Sequence, residues 1–384
     1  MTGERPASSA ALDKTTIALL AGGVLLGLFL FGLTVMQLGV LPQRGDFPAY
    51  YSAGKALAEM GIPASTLYDP VIFREVMEAA IPSLRATDTV FWLYPPFFLL
   101  AVLPLGWLSL TQAFAAWGLL NMALTGCAAR LAGAPLWFAL ALAFSPLSLL
   151  NVNLGQAGGF IALFMALGLR FLKSSPAVSG AGFSLLFFKP QFALIAPLAL
   201  LARGDRNPLI WLFGGLLILV GLPALLLGPD IWLAFLQGAR GTGEVMASGQ
   251  VDYWLFNSVN GFLRGLGAPG WTALSVHFSI AALALLLCLR RWHQGRDGLA
   301  APLLLGLGAL LCYPGGWATD ILILSYPFAL TLQANGRSAI MLRRLFAIGF
   351  MVLPLAHILI GPMIGVSLFT PLLLLLLAFS AKQP

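Results

Sequence analysis

From Ile17 to Leu41 the chain carries no charged residue. Apolar stretches recur at about 95–109, 111–131, 134–151, 157–172, 177–188, 190–202, 208–228, 271–289, 298–313, 317–333, 342–362 and 364–380. In hydrocarbon every backbone N–H and C=O must find a partner within the chain, so such stretches cross as helices or close into a barrel. Runs of this length match helical spans of about 20 residues. Hydrophobic residues make up 59% of the 384 and charged residues 9%, against roughly 25% charge in a soluble domain. That balance excludes a soluble enzyme, a disordered chain, a disulfide scaffold and a nucleic-acid binder.

The predicted fold is an all-α polytopic membrane protein, a bundle of about 11–13 transmembrane or re-entrant helices. It is read as a single integral membrane domain over 1–384. A first span at 17–41 is followed by a polar stretch, 42–94, and by central spans over 95–228. A second polar stretch, 229–270, precedes C-terminal spans over 271–380. The first run is too long for a signal-peptide core and is expected to stay as a span. Cys127, Cys288 and Cys312 all lie in apolar runs and read as small buried hydrophobes.

The net charge of +7 is resolved by sorting charges between the two faces, because Lys and Arg collect in cytoplasmic loops. Arg5, Lys14, Arg130, Arg170, Lys173, Arg203, Arg206, Arg290, Arg291, Arg296, Arg337, Arg343, Arg344 and Lys382 flank the short links and termini. They fall on one side with Glu4, Asp13, Asp205 and Asp297. The long polar stretches, with Lys189 and Asp320, hold seven cations and ten acids. This places the N-terminus in the cytoplasm and the long stretches outside. Parity then requires Lys189-Pro190 to break one run into two half-spans, and a proline there disfavours helix at the residue before it. Gly155-Gln156 is an outer turn by the same logic, and 95–109, with its three prolines, is not expected to cross fully.

Two amphipathic surface helices are expected in the first polar stretch. The first has Phe47, Tyr50, Tyr51, Gly54, Leu57 and Ala58 on one face, with Lys55 and Glu59 off it. The second opens at Asp69-Pro70, an N-cap followed by proline, with Phe73, Val76, Met77 and Ala80 at helical spacing. Trp92, Tyr94 and Trp107 fit an interfacial aromatic belt.

An ionisable group at membrane depth is costly and is a functional hypothesis by default. Asp46, directly after the first span, is placed to take a proton from a hydroxyl; its plain structural role would be a helix N-cap. Lys189, between Phe188 and Pro190, suits a phosphate as a point charge; its plain role would be a cation paired with a carboxylate or with freed carbonyls. Asp320 would cap a helix or pair with Lys189 or an arginine. The Gln156 amide suits sugar hydroxyls or capping. Arg240 and Arg264, in the second polar stretch, suit a phosphate or are simply solvated. His277 and His357 read as core residues. Neither a metal-ligand cluster nor a nucleotide-binding or nucleophile-elbow motif is present.

Together these residues resemble glycosyltransferase family 87. The resemblance rests on Asp46 with Tyr50, Tyr51 and Ala53, on Leu67-Tyr68-Asp69, on Tyr94-Pro95-Pro96, and on Leu103-Pro104-Leu105 with Trp117. Gly155-Gln156, Gly180, Gly182 and Lys189-Pro190 follow, and the resemblance weakens after about residue 210. It implies a GT-C fold and a membrane glycosyltransferase. Such an enzyme moves a hexose such as mannose from a polyprenyl-phosphate donor to a lipid or glycan acceptor at the outer face of a bacterial cell membrane, without a cofactor. It makes Asp46 the general base of an inverting transfer and Lys189, with Arg240 and Arg264, the donor-phosphate ligands. Gln156, Asp320, Tyr50, Tyr94 and Trp317 would line the sugar and acceptor site. In mannosyltransferase members a histidine follows a Pro-x-x-Trp element. Pro314 and Trp317 match it, but Asp320 stands at the histidine position, which counts against a mannose donor and a phosphatidylinositol mannoside acceptor. A polytopic transporter, or a different membrane polymerase or ligase, is the alternative reading; broken spans and intramembrane charge also mark transport pathways.

Overall fold

A computed structural model describes residues 12–84, 91–247, 252–295 and 298–381. Glu4, Arg5, Arg296, Asp297 and Lys382, sorted above by side, lie outside the described residues. The chain is an all-α polytopic membrane protein. Among the described residues the only extended pairing is an isolated antiparallel bridge between Phe256 and Trp317. Among the described residues five helical segments are long and apolar enough to cross a membrane: Lys14–Met36, Leu136–Asn153, Arg206–Leu227, Gly270–His293 and Arg337–Ile364. Six shorter apolar helices of 10–17 residues accompany them.

The first span is α1 (Lys14–Met36). Asp13 caps it, accepting from the Thr16 amide at 3.2 Å and pairing with Arg344 at 2.9 Å. The chain then forms α2 (Phe47–Lys55), α3 (Pro70–Ala80), the short α4 (Pro96–Val102) and α5 (Leu110–Leu131). The run expected at 134–151 is broken by Pro146 into α6 (Leu136–Ala143) and α7 (Pro146–Asn153). Next come α8 (Gly158–Arg170), α9 (Pro176–Leu185), α10 (Pro190–Ala193) and α11 (Ile195–Arg203). The break between α9 and α10 falls at Lys189, where the proline demands it. The rest is α12 (Arg206–Leu227), α13 (Ile231–Ala247), α14 (Val259–Gly265), α15 (Gly270–His293), α16 (Ala300–Leu311), α17 (Ser325–Leu330), α18 (Arg337–Ala347), α19 (Leu353–Ile364) and α20 (Phe369–Ser380).

In α16 every residue but Pro302 is buried, the signature of a helix apolar all round. By contrast α1, α12 and α15 leave most of their apolar surface uncovered by protein, as helices facing lipid do. The Asp13–Arg344 pair sets the start of α1 beside α18. At the other end of α1, Thr34 donates to Asn153 Oδ1 at 3.0 Å, so the turns after α1 and after α7 share one face of the bundle.

Two expectations are corrected here. The first amphipathic helix does not lie on the surface: Phe47 to Gly54 are all buried in α2, although Lys55 does pair with Glu59 one turn on. The second, α3, buries Phe73, Val76 and Met77 behind the Asp69 cap, which accepts from the Val71 and Ile72 amides at 2.8 and 3.1 Å. Trp92 and Tyr94 are not belt residues. Trp92 is buried, and its ring centroid lies 5.5 Å from that of Tyr94 and 6.3 Å from that of Phe73. Trp107 remains exposed.

Candidate active site

Two turns interlock to make the site. Gly45 has φ +64° and Gly155 φ +62°, a region side chains rarely adopt. A Cβ on Gly45 would stand 2.2 Å from the Leu154 carbonyl oxygen, and one on Gly155 would stand 2.4 Å from the Phe47 nitrogen. Each glycine therefore lets the other turn approach, and the Asp46 amide donates to the Leu154 carbonyl at 3.1 Å. Gly155→Ala is expected to destabilise by more than the about 1–2 kcal/mol of left-handed backbone alone. Gly61, φ +64° with nothing within 4 Å, provides the control. In thermal unfolding of the detergent-solubilised protein Gly155→Ala should lose clearly more stability than Gly61→Ala; equal losses would mean that the turns do not interlock.

Buried amides hold the second turn. The Gln156 carbonyl accepts from Trp117 Nε1 and from Asn151 Nδ2, each at 3.2 Å. Asn151 Oδ1 accepts from the Gly158 amide at 2.8 Å, and Asn121 Oδ1 accepts from the Gly159 amide at 3.0 Å. Asn121 was not picked out from the sequence. Its signal was there, an amide in the middle of an apolar run, where an unsatisfied polar group is costly.

Asp46 opens α2 but does not cap it with its side chain. Instead the side chains of Gln156 and Tyr94 flank its carboxyl group, and both favour its ionised form. The Tyr94 hydroxyl also bonds the Tyr50 hydroxyl. Burial pushes both phenols well above their ordinary value, and for Tyr94 the Asp46 charge adds to this, so both stay protonated donors. The Tyr50 ring is fully buried with its centroid 4.9 Å from that of Trp117 and 5.8 Å from that of Phe98. Tyr68 donates to the Tyr94 carbonyl at 2.9 Å and fixes the strand of chain that carries it.

Beside this chain of hydroxyls lies a buried ion pair. Lys189 Nζ stands 2.7 Å from Asp320 Oδ1, with both side chains nearly fully buried. Asp320 Oδ2 accepts from the Trp317 amide at 2.8 Å, and Asn257 Nδ2 donates to the Trp317 carbonyl at 2.7 Å. Both charges are felt at Asp46. Burial acts most strongly and pushes the Asp46 carboxyl up to about 6; Lys189 and the Gln156 hydrogen bond pull it down, and Asp320 opposes them. Buried Gln156 leaves its Oε1 without a hydrogen-bond partner, an acceptor ready for a hydroxyl.

Asp46, Tyr50, Tyr94, Gln156, Lys189 and Asp320 thus come together from five places in the chain, Asp46 and Tyr50 both coming from the start of α2, and Trp317 adjoins them through its backbone. Of the three expected phosphate ligands, Lys189 is in the cluster. Arg240 is exposed on α13. Arg264 turns to the Tyr253 hydroxyl, with Nε at 3.1 Å and Nη2 at 2.7 Å.

A family model described as glycosyltransferase family 87 matches residues 92–314. The match carries Tyr94, Gln156, Lys189, Arg240 and Arg264. It begins after Asp46 and ends before Trp317 and Asp320, and it runs well past residue 210. No curated protein matches the chain significantly, and neither does any solved structure.

Proposed function

The chain belongs to glycosyltransferase family 87 and is a multi-pass membrane glycosyltransferase, and on that premise we propose that it transfers a hexose from a polyprenyl-phosphate donor to a hydroxyl of a lipid or glycan acceptor. The transporter alternative gives way to the family assignment. The reading is carried by one observation: a half-buried aspartate after the first span, its carboxyl group flanked by Gln156 and Tyr94, beside the buried Lys189–Asp320 pair.

In this reading Asp46 takes the proton of the acceptor hydroxyl. The acceptor oxygen forms a bond to the anomeric carbon while the bond from that carbon to the phosphate oxygen breaks, and polyprenyl phosphate leaves. A single carboxylate serving as base gives inversion at that carbon. Lys189 has three N–H donors; one is taken by Asp320 and the others meet the charge developing on the phosphate. Gln156 Oε1 accepts from a sugar hydroxyl. Tyr94 and Tyr50 hold the Asp46 carboxylate in position. The cation asymmetry of the loops orients this face outward, with the N-terminus in the cytoplasm of a bacterial cell.

The test is transfer of radiolabel from polyprenyl-phosphate hexoses to a lipid extract by the purified enzyme; no transfer from any such donor would refute the reading. A base must be ionised to work, so kcat/KM should fall as pH drops through about 6, the free-enzyme value for Asp46. Gln156→Leu removes a hydrogen bond that favours the ionised form. It is expected to move this acid limb to higher pH. An acid limb near the ordinary carboxylate value, unmoved in Gln156→Leu, would take the base role from Asp46.

A further inference from the structure

On the same face, the C-terminal end of α19 and α14 enclose an open cleft of about 510 Å³, within the several-hundred Å³ range typical of small-ligand sites. Its lining combines Asp252, Tyr253, Trp254 and Arg264 with Gly265 and Gly365, and none of the Asp46 cluster. Arg264 is held rigidly: two of its nitrogens donate to the Tyr253 hydroxyl, and its guanidinium carbon lies 5.1 Å from the centroid of the same ring. Trp254 backs onto His357, ring centroids 5.3 Å apart. The floor is a close backbone contact, since a Cβ on Gly265 would stand 2.0 Å from the Gly365 carbonyl oxygen. Asp252 is exposed at the mouth.

The lining points to one class of ligand. Arg264 alone would suit a phosphate, but Asp252 in the same lining repels an anion. A carboxylate and a guanidinium together offer acceptors and donors to adjacent hydroxyls, and Tyr253 and Trp254 supply amphipathic aromatic surface for the carbon-bearing side of a ring. The cleft also shares a segment with the candidate active site. Phe256, two residues beyond Trp254, bridges to Trp317, and Asn257 holds the Trp317 carbonyl three residues before Asp320.

We propose that this cleft binds the saccharide of the acceptor, a neutral polyhydroxyl ring, and presents it to Asp46. The proposal rests on the transferase reading for its purpose but not for its ligand. The full-length protein in detergent is titrated with neutral methyl hexosides and disaccharides, followed by saturation-transfer NMR, with inorganic phosphate as competitor. Saccharide contact is expected, undisturbed by phosphate. Asp252→Asn and Arg264→Gln should each weaken it by about tenfold or more, the scale of a lost hydrogen bond to a charged group. Tyr253→Phe keeps every charge yet unpins Arg264, and should weaken it as well. In transfer assays Asp252→Asn should raise the acceptor KM with little change in kcat. Absence of saccharide binding, displacement by phosphate, or unchanged binding in Asp252→Asn would overturn the proposal. Saccharide binding with this variant pattern but no transfer from any lipid-linked sugar would refute the transferase reading and leave the cleft standing.

Discussion

Asp46→Asn is expected to lower the rate of sugar transfer by about 10²–10⁴-fold, the usual contribution of a positioned general base, while the protein folds as well as wild type. Asparagine keeps the shape of the side chain and an oxygen for the Tyr94 hydroxyl. It removes only the ability to take a proton. Burial already disfavours the charged carboxylate, which is why its pKa stands at about 6. Removing that charge therefore relieves a desolvation cost, and stability should hold or rise slightly. A variant that unfolded would lose transfer for an uninformative reason; Asp46→Asn separates the two effects because its melting temperature can be measured beside its rate. Single-turnover transfer with saturating donor is the decisive readout. Loss of rate at an unchanged donor affinity places Asp46 in the chemical step. An unchanged rate would remove Asp46 from the mechanism, and the base would then have to be sought elsewhere on that face.

How far the site was legible in the sequence differs from residue to residue. The break at Lys189-Pro190 followed from the sorting of charges together with backbone chemistry, because proline acts locally whatever surrounds it. The turn at Gly155-Gln156 followed from the sorting of charges between the two faces. Asp46 stood out as a carboxylate at the end of a span. The partner of Lys189 lies 131 residues away, and a single sequence offers no way to choose among the acids. Asp320 appeared as a departure at a histidine position and also as a possible partner of Lys189. The geometry joins these two readings, since the residue that departs is the one that neutralises the lysine. Helix α2 was misplaced for a different reason. Hydrophobic periodicity reports which face avoids water, and in a membrane protein lipid and protein interior look alike to it. Tyr50 and Trp92 therefore fitted a membrane surface equally well, whereas they build the wall behind Asp46 with Tyr94 and Phe98.

Lys189→Met tests whether the buried pair serves only the fold. Removing one partner leaves an uncompensated charge on Asp320, which is nearly fully buried, and breaking such a pair costs about 3–5 kcal/mol. The single variant should lose most folded protein, and its inactivity would say little. Replacing both partners by apolar residues of similar volume is often neutral. Lys189→Met with Asp320→Leu should therefore recover thermal stability in detergent. It should not recover transfer, because no ammonium remains to meet the departing phosphate. Recovery of both would reduce the pair to packing and return the phosphate to another cation, with exposed Arg240 the next to test. A stable single variant would mean that the 2.7 Å contact does not hold in the folded protein. The double variant also reports on Asp46, where Lys189 pulls the pKa down more strongly than Asp320 pushes it up. With both gone, the carboxyl should become harder to ionise. Any residual transfer should then show its acid limb at higher pH than wild type, and a limb displaced downward would contradict the electrostatic ordering of the three residues.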